Sequence, residues 1–160
     1  MNKALLIQRE RPDRAEVVVL LTALDHYLET LYPPQANHIL SVQELLAPEV
    51  RFFVAWLDEK IVGTGAVRLV RGEPATAGQC YGEIKRMYVD PAHRGLRIGQ
   101  QLLQTLEACL KEEEVSLALL ETGPEQRQAV RLYGRCGYGL RGPFGNYPDN
   151  GLSVYFSKQL

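Results

Sequence analysis

Between Val89 and Leu103 the chain reads Val-Asp-Pro-Ala-His-Arg-Gly-Leu-Arg-Ile-Gly-Gln-Gln-Leu-Leu. An apolar run ends at Asp90-Pro91, and a short basic turn leads into an amphipathic helix. Such a turn aims several backbone N–H groups into one concavity at the positive end of a helix, which is how a protein grips a phosphate without a metal. Gly95 can take a positive φ, and Gly99 lets backbone come close to a ligand because no Cβ stands in the way. Arg94 and Arg97 would add charge beside a pyrophosphate. On this stretch alone a plain strand-to-helix turn with two solvated arginines remains open. Two other phosphate patterns are set aside. No Gly-x-x-x-x-Gly-Lys-Ser/Thr occurs, and Gly137-Tyr138-Gly139-Leu140-Arg141-Gly142 follows a helix and precedes Pro143 and Pro148, the wrong context for a dinucleotide site.

The elements around the turn follow from apolar periodicity. Residues 3–9 suit a first strand. Val17, Leu20, Leu21, Leu24, Leu28 and Leu31 recur at helical spacing until Pro33-Pro34. Ser41 with Glu44 predicts a capping box for a short second helix. Residues 50–57 and 61–70 form two β-rich runs around Asp58-Glu59-Lys60, a hairpin. A long strand is expected at 79–89 and a helix beyond Gly95, with Ile98, Leu102, Leu103, Leu106, Cys109 and Leu110 on one face. A strand at 115–120, a helix from Pro124 through Cys136 with Gly137 as its left-handed cap, and a strand at 152–157 complete the chain. The order β-α-α-β-β-β-α-β-α-β calls for an α/β (α+β mixed) domain over residues 1–160, a mixed sheet with helices on its faces.

Residues Tyr81 to Tyr138 resemble the core of the GNAT N-acetyltransferase superfamily. Val89-Asp90-Pro91 and Arg94-Gly95-Leu96-Arg97-Ile98-Gly99 are similar to its strand end and its Arg-Gly-x-Gly-x-Gly turn, with Arg97 replacing the middle glycine. Gln126 through Tyr138 is similar to its Asn-x-x-Ala-x-x-Leu-Tyr-x-x-x-Gly-Phe helix, with Gln126 and Tyr138 as departures. The run Tyr81 to Val89 with Leu120-Glu121-Thr122-Gly123 resembles a bacterial subset of small-molecule acetyltransferases. The resemblance implies a mostly antiparallel twisted sheet and acetyl-CoA as co-substrate, its pyrophosphate on Arg94, Gly95, Leu96, Arg97, Ile98, Gly99 and Gln100. Gln126 joins these contacts, and backbone groups of Met87, Tyr88 and Val89 hold the pantetheine arm and the oxyanion.

Transfer from a thioester to an amine must remove a proton from the amine, whose pKa is roughly 10.4, and can return one to the thiolate. Glu83, on the strand that the resemblance sets beside the acetyl group, is the first candidate base; an ion pair with Lys85 is its alternative, and Glu121 is a second candidate. Tyr133 stays protonated at neutral pH with a pKa near 10, and the resemblance makes it the acid; a core aromatic is its alternative. The first helix and its exit, around His26, Tyr27, Tyr32, Asn37 and His38, and the loop 143–148 are expected to wall the acceptor site, with Tyr32 as a contact. If Arg68, Lys85 and Arg86 on neighbouring strands face the cleft, they would favour a carboxylate-bearing amine, with Arg68 and Arg86 binding the acid; solvated strand residues are the alternative.

A formal net charge of −1 and no basic run argue against nucleic acid as a partner. Cys80, Cys109 and Cys136 contain no Cys-x-x-Cys pair, so neither a disulfide framework nor a metal site is expected. No apolar run approaches the roughly 18 residues of a membrane span, and no cleavable leader pattern is present. The expectation is a cytoplasmic enzyme acting on a small-molecule amine, with a homodimer left open. Acetylation of a protein N-terminus or lysine, and a non-catalytic acyl-CoA-binding module, are the alternatives.

Overall fold

The computed structural model describes residues 4–34, 38–149 and 151–160. Its elements are β1 (Leu5–Arg9), α1 (Ala15–Leu31), α2 (Val42–Leu45), β2 (Val50–Leu57), β3 (Lys60–Val70), β4 (Tyr81–Val89), α3 (Ile98–Glu112), β5 (Leu117–Thr122), α4 (Arg127–Arg135), β6 (Gly139–Arg141) and β7 (Val154–Gln159). The strands make a seven-stranded sheet in the order β1-β2-β3-β4-β5-β7-β6. Every neighbouring pair is antiparallel except β4 with β5. The expected mixed fold is present, with one strand more than the sequence suggested. That strand is β6, three residues long, and it carries the Gly-x-Gly-x-x-Gly string into an edge pairing with β7.

Local signals explain most of the boundaries. Ser41 and Glu44 close the capping box in both directions. Asp58 turns the β2–β3 hairpin at φ 55°. At the end of α4, Gly137 N–H donates to Gly134 O and Tyr138 N–H to Tyr133 O, with Gly137 at φ 91°. This double closure is the cap that a left-handed glycine permits.

Helices cover both faces. On one, Val17, Leu20 and Leu21 of α1 bury against Phe52, Val54, Ile61 and Ala66. On the other, Leu103, Leu106 and Leu110 of α3 join Tyr133 and Tyr138 over Ile84, Ala118, Leu120 and Phe156. Each such side chain contributes about 1.5–3 kcal/mol when fully buried. Gly82 is what allows α3 to lie so near β4, since a Cβ there would come within 2.3 Å of Leu110.

Two irregularities of β4 create the site. Its pairing with β5 is confined to Gly82 with Ala118 and Glu83 with Leu119, after which the strands diverge. Opposite β3 the register slips between Thr64 and Ala66, where Arg86 takes φ 56°. This bulge puts Lys85 and Arg86 on the same face of the sheet, and Thr64 Oγ1 donates to the bulged Arg86 carbonyl at 2.8 Å. Beyond Glu83, the edge of β4 that faces β5 has no strand partner.

Candidate active site

The divergence of β4 and β5 opens a cavity of about 820 Å³, continuous from the 94–99 turn to the end of α1. Met87, Tyr88 and Val89 of β4 line it, as do Glu121 and Thr122 of β5 and Ala129, Leu132 and Tyr133 of α4.

The turn forms one end. Gly95 has φ 87°, and Arg97 sits at φ 61°, ψ 24° as the residue before α3. Arg97 therefore holds the left-handed conformation of the glycine it replaces, at roughly 1–2 kcal/mol for its Cβ. Among the described residues, no N–H group from Gly95 to Gln100 donates to a protein acceptor. Six unpaired donors at the start of a 15-residue helix are the donor set a pyrophosphate requires. Arg94 is oriented by Val89 O at 3.3 Å and Gln128 Oε1 at 3.4 Å. Gly99 differs from expectation: its missing Cβ leaves room for protein, since a Cβ there would lie 3.2 Å from Leu132 of α4.

Tyr133 lies at the middle of the cavity wall, its ring buried against Tyr138 and Phe156. Its hydroxyl has no hydrogen-bond partner among the described residues, and burial pushes its pKa up. Tyr32 closes over Gly123 and Gln126 at the cavity edge.

Glu83 is not where the sequence reading put it. It is fully buried on the α1 face and does not line the cavity. Arg68 Nη2 donates to it at 2.8 Å, Lys85 Nζ stands 3.6 Å away, and the Tyr147 hydroxyl donates to its other oxygen. The physical reason is its level on the strand, because Glu83 sits where β4 and β5 are still paired, before the gap opens. Glu83 shares a face with Tyr81, and Tyr147 from the loop before β7 closes over it. Arg68 likewise lies outside the cavity, committed to Glu83. Arg86 lines the cavity, but its guanidinium is bound to Asp25 at 2.5 Å and to Leu21 O at 3.3 Å. The expected carboxylate grip of Arg68, Lys85 and Arg86 is thus spent on protein partners.

Glu121 occupies the cavity instead. Among the described residues lining it, Glu121 is the sole carboxylate. Ser153 Oγ donates to its Oε2 at 2.6 Å, and His38 Nδ1 lies 3.4 Å from the same oxygen. Lys85 fixes both walls of this end by donating to His38 O at 2.9 Å and to the Tyr147 hydroxyl at 2.8 Å. The Tyr147 ring meets His38 edge-on at 4.9 Å. Loop 143–148 therefore shapes the wall through His38, while Leu152 and Ser153 line it directly. His26 is exposed beside Glu29, and Asn37 lies outside the described residues.

Side-chain alternation puts Glu121 with Leu117 and Leu119 on the α1 face. Tyr133 belongs to the α3–α4 face. A carboxylate and a phenol thus approach one gap in the sheet from opposite sides.

Comparison with known proteins agrees with this architecture. Residues 19–138 match the sequence model of the acetyltransferase (GNAT) family. A protein of Azospirillum brasilense named IAA acetyltransferase is 42% identical over 154 residues, 96% of this chain and 97% of that protein. An uncharacterized N-acetyltransferase of Bacillus subtilis is 28% identical over 91% of this chain and 93% of its own length. Among solved structures, a Klebsiella pneumoniae protein described as an acyl-CoA N-acyltransferase superposes with a TM-score of 0.77 at 35% identity, covering 98% of this chain and 97% of that one. The PaiA N-acetyltransferase of Thermoplasma acidophilum, solved with coenzyme A, has the same fold at a TM-score of 0.74 and 15% identity, over 98% of this chain and 99% of that one. With the turn, the splayed strands and these relatives together, the chain belongs to the GNAT family of acetyltransferases, as an N-acetyltransferase that takes acetyl-CoA as co-substrate.

Proposed function

We propose that this enzyme acetylates the amine of a small molecule by direct attack within a ternary complex, with Glu121 as base and Tyr133 as acid. The observation that carries the reading is that Glu121 is the sole carboxylate on the cavity wall among the described residues. A protonated amine with a pKa near 10.4 binds such a carboxylate and gives up its proton to it, directly or through one water. The freed nitrogen attacks the acetyl carbonyl carbon, and the N–H groups of Met87 and Val89, which by strand alternation face the unpaired edge of β4, receive the oxyanion. The C–S bond then breaks, and the departing sulfur takes the Tyr133 proton. The second proton that the nitrogen sheds on becoming an amide returns to the phenolate through water, while Glu121 releases its proton to solvent. Burial that raises the phenol's pKa also raises that of a sulfur leaving into the same apolar gap. Donor and acceptor enter from opposite faces, so neither has to leave before the other reacts.

Arg94, Arg97 and the N–H groups of residues 95–100 are the CoA contacts in this reading, with Gln126 at the start of α4 and Tyr32 on the acceptor side. Following release of free CoA thiol over a panel of small amines, peptides and proteins tests it. Turnover with small amines is expected; acetylation confined to peptides or proteins would overturn it.

A further inference from the structure

The second half of α1 carries an apolar stripe that passes from the core, at Leu24, onto the cavity wall. Val17, Leu20 and Leu21 are buried in the sheet-facing core. One to two turns later, Leu24, Tyr27 and Leu28 line the cavity, and Tyr32, Ile39 and Leu152 continue that wall. Glu121 stands in the same space, with Oε2 engaged by Ser153 and His38 while Oε1 accepts nothing from the described residues. The neighbouring cations are already committed. Lys85 is held by His38 O, the Tyr147 hydroxyl and Glu83, Arg86 by Asp25 and Leu21 O, and Arg68 by Glu83 outside the cavity. The remaining arginines on the wall are carried by the turn (Arg94, Arg97) and by α4 (Arg131, Arg135), and His38 is engaged with Glu121 itself.

The geometry points to an acceptor that is a primary amine on an apolar body of aromatic size, with no carboxylate beside the nitrogen. The inference rests on the reading of Glu121 as the group that receives the amine. Its ammonium pairs with the open carboxylate oxygen, and its body lies along Leu24, Tyr27 and Leu28, where apolar surface leaves water. A carboxylate on the carbon next to the nitrogen would be drawn close to Glu121 and would find no uncommitted cation among Arg68, Lys85 and Arg86 of β3 and β4. Burying it unpaired costs more than any contact it adds. Selectivity here comes as much from this repulsion as from the apolar wall.

Matched pairs test the idea at saturating acetyl-CoA, with tryptamine against tryptophan, phenethylamine against phenylalanine, and ethylamine as the amine without an apolar body. The expected kcat/KM for each aryl amine exceeds that of its amino acid by about 50-fold or more, the scale set by leaving a buried charge unpaired. Ethylamine should fall below the aryl amines by at least about tenfold, the value of a few buried methylenes. Leu28→Arg supplies an uncommitted cation to the wall and should narrow the amine-to-amino-acid gap about tenfold. Amino acids acetylated as well as their amines would overturn the inference and leave small-molecule acetylation standing, and so would a Leu28→Arg enzyme with an unchanged gap. Acetylation of peptides with no small amine accepted would overturn both.

Discussion

The phenolic oxygen of Tyr32 occupies the place where a side chain on Gly123 would begin, 1.6 Å from a Cβ built there. Tyr32 follows α1 directly and Gly123 leaves β5 two residues after Glu121, so the contact ties the acceptor wall to the strand that carries the candidate base. Burial has raised the Tyr32 pKa to about 12.

Gly123→Ala must therefore expel Tyr32. Overpacking of this kind costs about 1–3 kcal/mol, and the expected result is a lower melting temperature with roughly tenfold lower kcat/KM for the acceptor. Tyr32→Ser makes room, so the double variant should be no worse than Tyr32→Ser alone, a coupling of about 0.5–3 kcal/mol. Additive losses in thermal melts and kinetics would deny the contact its weight.

At Arg97 the backbone and the charge can be separated. Glycine adopts φ 61° without strain, so Arg97→Gly should leave the melting temperature of the free enzyme unchanged or raise it, relief of the Cβ clash being about 1 kcal/mol. The same change removes a guanidinium beside the turn and should weaken CoA binding several-fold at low salt, less so as salt screens it. Calorimetric titration at two ionic strengths reads this directly. Unaltered affinity at low salt would show that Arg97 gives the turn its shape and nothing more.

Glu121→Gln and Glu83→Gln distinguish catalysis from architecture. The first should lower kcat by about 10²–10⁴-fold, the usual contribution of a positioned base, with CoA affinity and melting temperature kept. The second leaves Arg68 and Lys85 without the charge they share. Its signature should be lost stability, up to about 3–5 kcal/mol for a broken buried pair, ahead of any change in the chemical step. The reverse pattern would return the role of base to Glu83.

Tyr133→Phe keeps the ring packed against Tyr138 and Phe156 and should lower kcat about a hundredfold, the low end for a general acid because a thiol is already a fair leaving group. Unchanged kcat would make Tyr133 a core residue. The pKa shift also carries a stability statement. A phenol whose folded pKa is raised contributes stability that is whole below its unfolded value of 10.0 and is lost as pH rises towards the folded value. Wild type should thus lose stability more steeply than Tyr133→Phe above about pH 10, as alkaline urea melts would record.

The sequence carried the frame further than the site. Among the described residues, apolar periodicity and caps located all four α-helices and six of the seven strands, because those signals are local. β6 escaped because three residues, two of them exposed, bury too little to leave a pattern. The turn was legible from Gly95, Gly99 and the proline break, although Gly99 proved to accommodate Leu132. Glu83 and Glu121 could not be told apart, since their surroundings are long-range. Tyr147 reaches Glu83 across 64 positions and His38 reaches Glu121 across 83. The left-handed Arg86, which turns two cations to one face, has no sequence signature.

The sheet is in effect two leaves, β1 to β4 and β5 with β7 and β6, stitched by two residue pairs at Gly82 and Glu83. Beyond those stitches the described residues join the two leaves through side chains, Tyr147 on Glu83 and Lys85 and the shared core of Ile84, Ala118, Leu120 and Phe156, and not through a backbone ladder. A ligand lying in the gap takes the part of the missing strand and becomes a cross-brace. Amide exchange along residues 85–89 and 120–122 should accordingly slow together when acetyl-CoA arrives, as one mechanical unit, while the hairpin of β2 and β3 keeps its own rate.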